Sequence, residues 1–442
     1  MKPGDVFLFY KKLLAASAAG KMVSEESLAG WCLLHKATFR MQGFAAGDRL
    51  AGLRVLKQIM VAMAQSKPAV QLIEGGDQTV AIFDNKAREC ALRTAHVREN
   101  TGQLPGMYIS RQELLSVNYE GRSKWFGWMY ALQLVFTGKQ RLSKALLLRE
   151  AHEAAALLHL LRAHSVKHLH FYSSYEKDAN ALTLLLRAQG IVVNKIPSPS
   201  LLAAHHNELI ADTLSLGSPY QADELHVSPT QKFVKQVKHW TPEFWPHYGA
   251  LYQHKTEAAK GTLGFYSHAV WLREAEHNAD TGFGDHRAEK QLLPLLAHWC
   301  RTHTQVKLLI FLHPRERKPE HMAQTEAFYA RMFEGVNYRF SEPGIPSTHQ
   351  FASADAGIGA MSTILFERLF AGFKTLFFPA GINNFPLPES ALARVCAVTQ
   401  PQLDMLLDKA MNATTAEFLA SFQLEKYTAA HWLGADSKKS VS

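Results

Sequence analysis

A chain of two α/β domains with largely parallel sheets is predicted by three observations. Short apolar runs alternate with stretches of helical periodicity, and an irregular aromatic stretch divides that alternation in two. The length of 442 residues, 47% of them hydrophobic, also exceeds what one core usually holds.

Residues 1–67 read as an extra helical N-terminal segment. Ala, Leu, Met and Lys are spaced there for amphipathic helices, with Gly43 and Gly47 as punctuation, and Lys67-Pro68 ends the pattern. The first α/β domain, 68–240, opens with a strand at 69–73, an acidic turn Glu74-Gly75-Gly76-Asp77 and a second strand at 79–83. A helix at 146–164, a strand at 167–173, a helix at 178–189 stopped by Gly190, and a strand at 191–196 follow. This βαβ order implies a sheet that is at least partly parallel. Between Ser218 and Gly261 the pattern breaks into Pro, Trp, Tyr, His and Lys, and the linker is placed at 241–261. The second α/β domain, 262–400, has strands at 262–267, 306–312, 336–340, 354–358 and 374–378, with helices at 288–301, 322–333 and 363–371. The C-terminal helices and tail, 401–442, are expected to cross back to the first domain, with a disordered Ser/Lys-rich end from Asp436.

Lys and Arg number 48 against 39 Asp and Glu, giving a formal charge of +9 that favours phosphate-rich or anionic-membrane partners. The 22 histidines raise that charge in mild acid. Cys32, Cys90, Cys300 and Cys396 lie far apart with no C-x-x-C pair, which suits packing residues in a reducing cytosol. Lys11-Lys12 interrupts the apolar start, so no signal peptide is expected, and no run of about 18 apolar residues suggests a membrane span.

The best chemical clue is the pairing of two strand ends. An apolar run from Val306 stops at His313-Pro314, and Ser362-Thr363 later opens an apolar helix. The proline forbids a further ladder hydrogen bond, so the imidazole is held at the rim of the sheet, with Arg315, Arg317 and Lys318 following. Gly357 and Gly359 permit close backbone approach, and the hydroxyls with the free amides of the helix make an anion pocket. The plain alternatives are a charged surface turn for the first and an ordinary N-cap, worth about 1 kcal/mol, for the second. Ligands gather at the carboxyl ends of parallel strands, and both features fall there.

Over residues 262–380 the chain resembles bacterial GT-B glycosyltransferases that use CMP-activated sugars, the sialyltransferases and Kdo transferases, with teichoic-acid-type CDP-alcohol polymerases as distant relatives. The resemblance rests on His313-Pro314 and on Ser362-Thr363. It implies two Rossmann-like domains. It also implies a CMP-sugar donor, no cofactor and no metal, with a glycan or lipid-linked glycan as acceptor. By the same resemblance His313 contacts the CMP phosphate and assists its departure, Ser362 and Thr363 hold the phosphate, and Glu342 binds the ribose. Such sialyltransferases carry a paired-acid-plus-glycine motif whose carboxylate is the base. Here the acids are split by two glycines, so Glu74 or Asp77 serves, or the string is a hairpin turn chosen for backbone reasons. Ser267 and His268 follow the first strand of the second domain and should face the donor, and Asp280 and Asp285 are reserve carboxylates.

Other patterns are set aside. His152 and His159 stand about 10 Å apart on a helix, too far for one metal. Phosphate-binding P-loop and dinucleotide G-x-G-x-x-G strings are absent, which disfavours kinase-like ATPases and dinucleotide oxidoreductases. A nucleotide-sugar epimerase or CDP-alcohol phosphotransferase remains an alternative on the same scaffold. A basic nucleic-acid-binding protein is the alternative of another class, disfavoured because aromatic residues do not interleave with Lys and Arg. The aromatic, cation-flanked stretch 122–141 suits an anionic membrane surface or a buried helix, so the expected location is cytoplasmic and peripheral on the inner membrane.

Overall fold

The computed structural model describes residues 57, 61, 69–84, 89–117, 141–172, 177–197, 208–227, 231–253, 258–275, 285–382 and 390–436. The expected N-terminal helical segment, apart from helical Lys57 and Val61, lies outside them, as do 122–140, Asp280 and the chain end. The chain forms two compact units, divided between Thr241 and Pro242, with 218–227 joining the second. Each is a Rossmann-like α/β unit, as expected.

The first unit holds β1 (Val70–Leu72), β2 (Asp77–Asp84), β3 (Pro105–Ser110), β4 (His168–Tyr172), β5 (Val192–Ile196), β6 (Glu208–Leu216) and β7 (Gln231–His239). They lie in the order β1-β3-β2-β4-β5-β6-β7. β1 runs antiparallel to β3 and every other pairing is parallel. The long α1 (Arg141–Ala163) and α2 (Lys177–Ala188) carry the crossovers into β4 and β5, and bury Leu157, Leu161 and Leu186.

The second unit follows α3 (Pro219–Val227) and α4 (Trp245–Tyr252) with β8 (Thr262–Tyr266), α5 (Asp285–Thr302), β9 (Lys307–Phe311), α6 (Pro319–Met332) and β10 (Tyr338–Phe340). β11 (Ala356–Gly359), α7 (Thr363–Phe370), β12 (Lys374–Phe377) and α8 (Gln400–Asn412) complete its frame. Its sheet is wholly parallel, in the order β10-β9-β8-β11-β12. β8, β11 and β12 are buried along their whole length, as a sheet covered on both faces requires.

Two buried cations organise this core. Lys374 pairs with Asp355 at 2.7 Å and donates to the carbonyls of Ala410 and Ala413 at 2.6 and 2.8 Å. It thereby caps α8 from beneath. Trp299 adds an indole bond to Asp408 at 2.9 Å, so the C-terminal helices pack within the second unit. Their expected return to the first domain is corrected: the carbonyls of Ala410 and Ala413 are satisfied by Lys374 of β12, and the Asp408 carboxylate by Trp299 of α5. Arg368 is fully buried and donates to the carbonyls of Phe351 and Ala354 and to the Tyr266 hydroxyl. Gly357 exists for it, since a Cβ there would stand 2.5 Å from the guanidinium.

The stretch expected to be the linker, 241–261, holds α4, and the irregular stretch before it holds α3 and β7. β7 is an edge strand with Lys235, Gln236, Val237 and Lys238 exposed, so it carries no burial periodicity to read.

Candidate functional site

Register decides which residues gather. Tyr266 on β8 is level with Phe311 on β9 and with Gly359 on β11, all three strands running the same way. His313 is two residues beyond Phe311, and Ser362 three beyond Gly359. The two loops therefore leave the same edge at the same height on either side of β8, with strand axes about 10 Å apart. The chain order reverses between β8 and β11, the point where parallel sheets open a crevice.

Beyond β9 the chain folds into a tight turn. Glu316 donates its amide to the His313 carbonyl at 2.9 Å, and its carboxylate accepts the His313 amide at 2.9 Å. The Arg315 amide donates to His313 Nδ1 at 3.2 Å. With Nδ1 an acceptor, the neutral ring carries its proton on Nε2. Half-buried His313 thus presents a donor of defined tautomer, while Pro314 is exposed and Arg315 half-buried beside it. Arg317 is engaged within the turn. It braces the turn, donating to the Leu312 carbonyl at 3.2 Å and to the hydroxyls of Ser341 and Ser347 at 3.1 and 3.0 Å. Lys318 is exposed and faces Glu320 at 3.7 Å.

The loop after β8 is held from below by Glu289 on α5. This fully buried carboxylate accepts the amides of His268 and Val270 and lies 3.3 Å from the Ser267 hydroxyl. Burial pushes its carboxyl up to about 7, with neighbouring Glu316 adding to the rise and the His268 side opposing it. Ala269 adopts φ +60° within the loop. The expected donor contacts from Ser267 and His268 are corrected here. The Ser267 hydroxyl accepts the Ala269 amide and is hydrogen-bonded to the Tyr329 hydroxyl, both at 2.8 Å, and both Ser267 and His268 are buried. They stitch the loop together beneath the edge instead of lining it.

Glu342 stands exposed just past β10, where Gln350 fixes the backbone by accepting its amide at 3.1 Å and donating to its carbonyl at 3.3 Å. That is the same edge as His313. Ser362 is the N-cap of α7 by backbone conformation (φ −131°, ψ 144°), yet its side chain makes no capping bond. The ordinary N-cap reading is therefore not realised, and the half-buried hydroxyl stands with exposed Thr363 at the positive end of the helix. Glu367, further along α7, takes a bond from Tyr248 at 3.3 Å, and burial pushes its carboxyl up to about 7. Gly359 admits the Tyr266 carbonyl, which a Cβ would meet at 2.8 Å. The glycines thus serve close approach, Gly359 to the neighbouring strand and Gly357 to the arginine. Asp285 begins α5.

In the first unit Glu74 and Asp77 occupy the turn between β1 and β2. Asp77 is paired with Pro105, the first residue of β3, which puts the turn at the amino edge of that sheet. Asp77 accepts from the Thr79 amide and hydroxyl at 2.8 and 2.7 Å and from Gln103 at 2.6 Å; the Thr79 bonds hold its carboxyl below the usual range. Glu74 is exposed, Gly75 has φ +70°, and a Cβ on Gly76 would stand 2.2 Å from the Pro105 carbonyl oxygen. The catalytic assignment of Glu74 and Asp77 is thereby not supported: the string is shaped by its turn and faces away from the ligand-binding edge. At the carboxyl end of β2 instead sits Asp84, buried, paired with Arg93 at 2.8 Å and bonded by Tyr108 at 3.3 Å.

Sequence reading missed Glu289, Glu316 and Tyr329. A faint signal existed in Glu316, three residues after His313, a spacing that lets a carboxylate cap a turn. Among the described residues no group of three His, Cys, Asp or Glu gathers as for a metal ion, and no helix is long and apolar enough to cross a membrane.

No family model matches the chain, and no curated protein matches it. Among solved structures it is similar to the S. aureus MnaA–UDP co-structure, at 10% identity over 81% of this chain and 94% of that one, with a TM-score of 0.44. UDP-GlcNAc 2-epimerase from Neisseria meningitidis, bound to UDP-GlcNAc, matches at 10% identity over 81% of this chain and 98% of that one, TM-score 0.42. MurG of Acinetobacter baumannii matches at 14% over 65% and 77%, TM-score 0.40. Likeness at this level identifies neither donor nor reaction.

Proposed function

We propose that the chain is a glycosyltransferase that moves a Kdo- or sialic-acid-like sugar from its CMP donor to a hydroxyl of a bacterial surface glycan. The observation that supports it is the common height of His313 and Ser362-Thr363 on the two sides of β8, beyond the carboxyl edge of a parallel sheet. A phosphate in that crevice meets a helix N-terminus, two hydroxyls and an imidazole donor. In the transfer the bond from anomeric carbon to phosphate oxygen breaks and a bond to the acceptor oxygen forms. The acceptor proton is released, and CMP leaves with its phosphate charge hydrogen-bonded by His313 Nε2–H. Exposed Glu342 is the proposed ribose contact. Glu74 and Asp77 are not retained as the base. A glycan or lipid-linked glycan acceptor and a peripheral inner-membrane location belong to the same proposal; the stretch 122–140 that motivates the latter lies outside the described residues.

Calorimetric titration with CMP, UMP and inorganic phosphate tests the reading. CMP should bind with His313→Ala weakening it about tenfold to a hundredfold, the loss of one bond to a charged group. UMP binding tighter than CMP would transfer the proposal to a UDP-sugar donor and sink the CMP assignment. No binding of either nucleotide, or an unchanged affinity in His313→Ala, would overturn it.

A further inference from the structure

Beneath the proposed donor site lies a buried network that ligand binding does not itself require. Glu316 has no exposed surface and yet carries a carboxylate, pushed above its ordinary range by burial. Its oxygens accept the His313 amide at 2.9 Å, the Trp271 indole at 3.0 Å and the Tyr329 hydroxyl at 3.2 Å. Those three donors come from three elements: the turn after β9, the short helix after β8, and α6. Tyr329 bonds in turn to Ser267, which lies against Glu289, the holder of the loop after β8. A buried acid costs stability relative to an apolar side chain of the same volume, and a fully bonded one rigidifies what it holds. What it fixes here is the turn in which the Arg315 amide meets His313 Nδ1.

We propose that Glu316 is the positioning residue of this edge, clamping the turn after β9 to Trp271 and Tyr329 so that His313 keeps its Nε2–H tautomer directed away from the turn. The purpose of that donor rests on the nucleotide reading above; the clamp itself does not. Without Glu316 the His313 amide and the Trp271 indole lose a shared acceptor, the turn relaxes, and the ring exchanges between tautomers.

The test is side-chain 15N NMR of histidine-labelled full-length protein without ligand, with the His313 signals assigned by their loss in His313→Asn. Wild type should show an unprotonated Nδ1 and a protonated Nε2. Glu316→Ala should move both resonances toward the tautomer average and weaken CMP binding about tenfold. Glu316→Gln, whose amide oxygen still accepts the His313 amide, should restore most of the wild-type pattern, and Trp271→Phe should shift it only partly. Amide spectra of each variant report retention of the fold, and Trp271→Phe carries the test if Glu316→Ala does not fold. Wild-type His313 resonances in folded Glu316→Ala, or in Trp271→Phe where Glu316→Ala does not fold, would overturn the clamp. Resonances that move in a protein that binds no CMP would leave the clamp standing and remove the donor reading.

Discussion

The two sheets carry their most conspicuous carboxylates at opposite ends. In the first unit Glu74 and Asp77 stand at the amino edge, one exposed and the other bound up in its own turn. In the second, Glu289 and Glu316 lie fully buried under the carboxyl edge, where they hold loops. Acidic residues beside glycines look catalytic in a string. Strand direction separates the two cases: every parallel strand offers free loop amides and helix N-termini at its carboxyl end only.

The comparison breaks first at Gly76. Its Cβ would press on backbone, which cannot move aside like a side chain, so Gly76→Ala should destabilise the first unit by about 3 kcal/mol. Chemical denaturation followed by segment-resolved hydrogen exchange reads this directly. A variant within about 0.5 kcal/mol of wild type would mean that the glycine is not there for the turn.

The second unit offers a pH signature of its own. Glu289 is raised to about 7 when folded against about 4.5 unfolded, so between those values the folded chain binds more protons. Its contribution is fully present below about pH 4.5 and is lost as pH rises to about 7, with a steepest slope of about 1.4 kcal/mol per pH unit. Glu289→Gln should remove that slope. The first unit runs the other way: burial lowers His96 and His170 to about 4, so their contribution is lost as pH falls from about 6.5. Hydrogen exchange at pH 5 and pH 7 should therefore show the second unit tightening on acidification while the surroundings of His96 loosen. Identical pH dependence in wild type and Glu289→Gln would refute the assignment of a titrating carboxyl beneath the β8 loop.

What could be read from the chain follows the same physics. β8, β9 and β11 read as largely apolar buried runs and β12 leads into one after Lys374 and Thr375, so they stood out. β6 hides because it carries Asp212, which accepts the Val193 amide at 2.9 Å inside the sheet, and β7 because its exposed lysines mask it. His313 and Ser362-Thr363 were legible because proline and a helix start mark strand ends locally. Glu289 and Glu316 were not. Glu289 faces a loop some 20 residues earlier, and Glu316 meets Trp271 across 45 positions, and no local pattern encodes either contact.

The smallest expected effect is the sharpest for the comparison. Glu74 is exposed in a turn whose shape is set by Gly75 at φ +70° and by the close approach at Gly76, so its carboxylate has nothing to hold. Glu74→Gln should leave the Tm within about 1 °C and leave transfer from the CMP donor at the wild-type rate. Asp77→Ala should lower the Tm measurably, because the Thr79 amide and hydroxyl lose their acceptor, yet also leave turnover intact. A selective loss of turnover in Glu74→Gln, with CMP affinity unchanged, would place catalysis at the amino edge of the first sheet and invert the rule that strand direction sorts these acids.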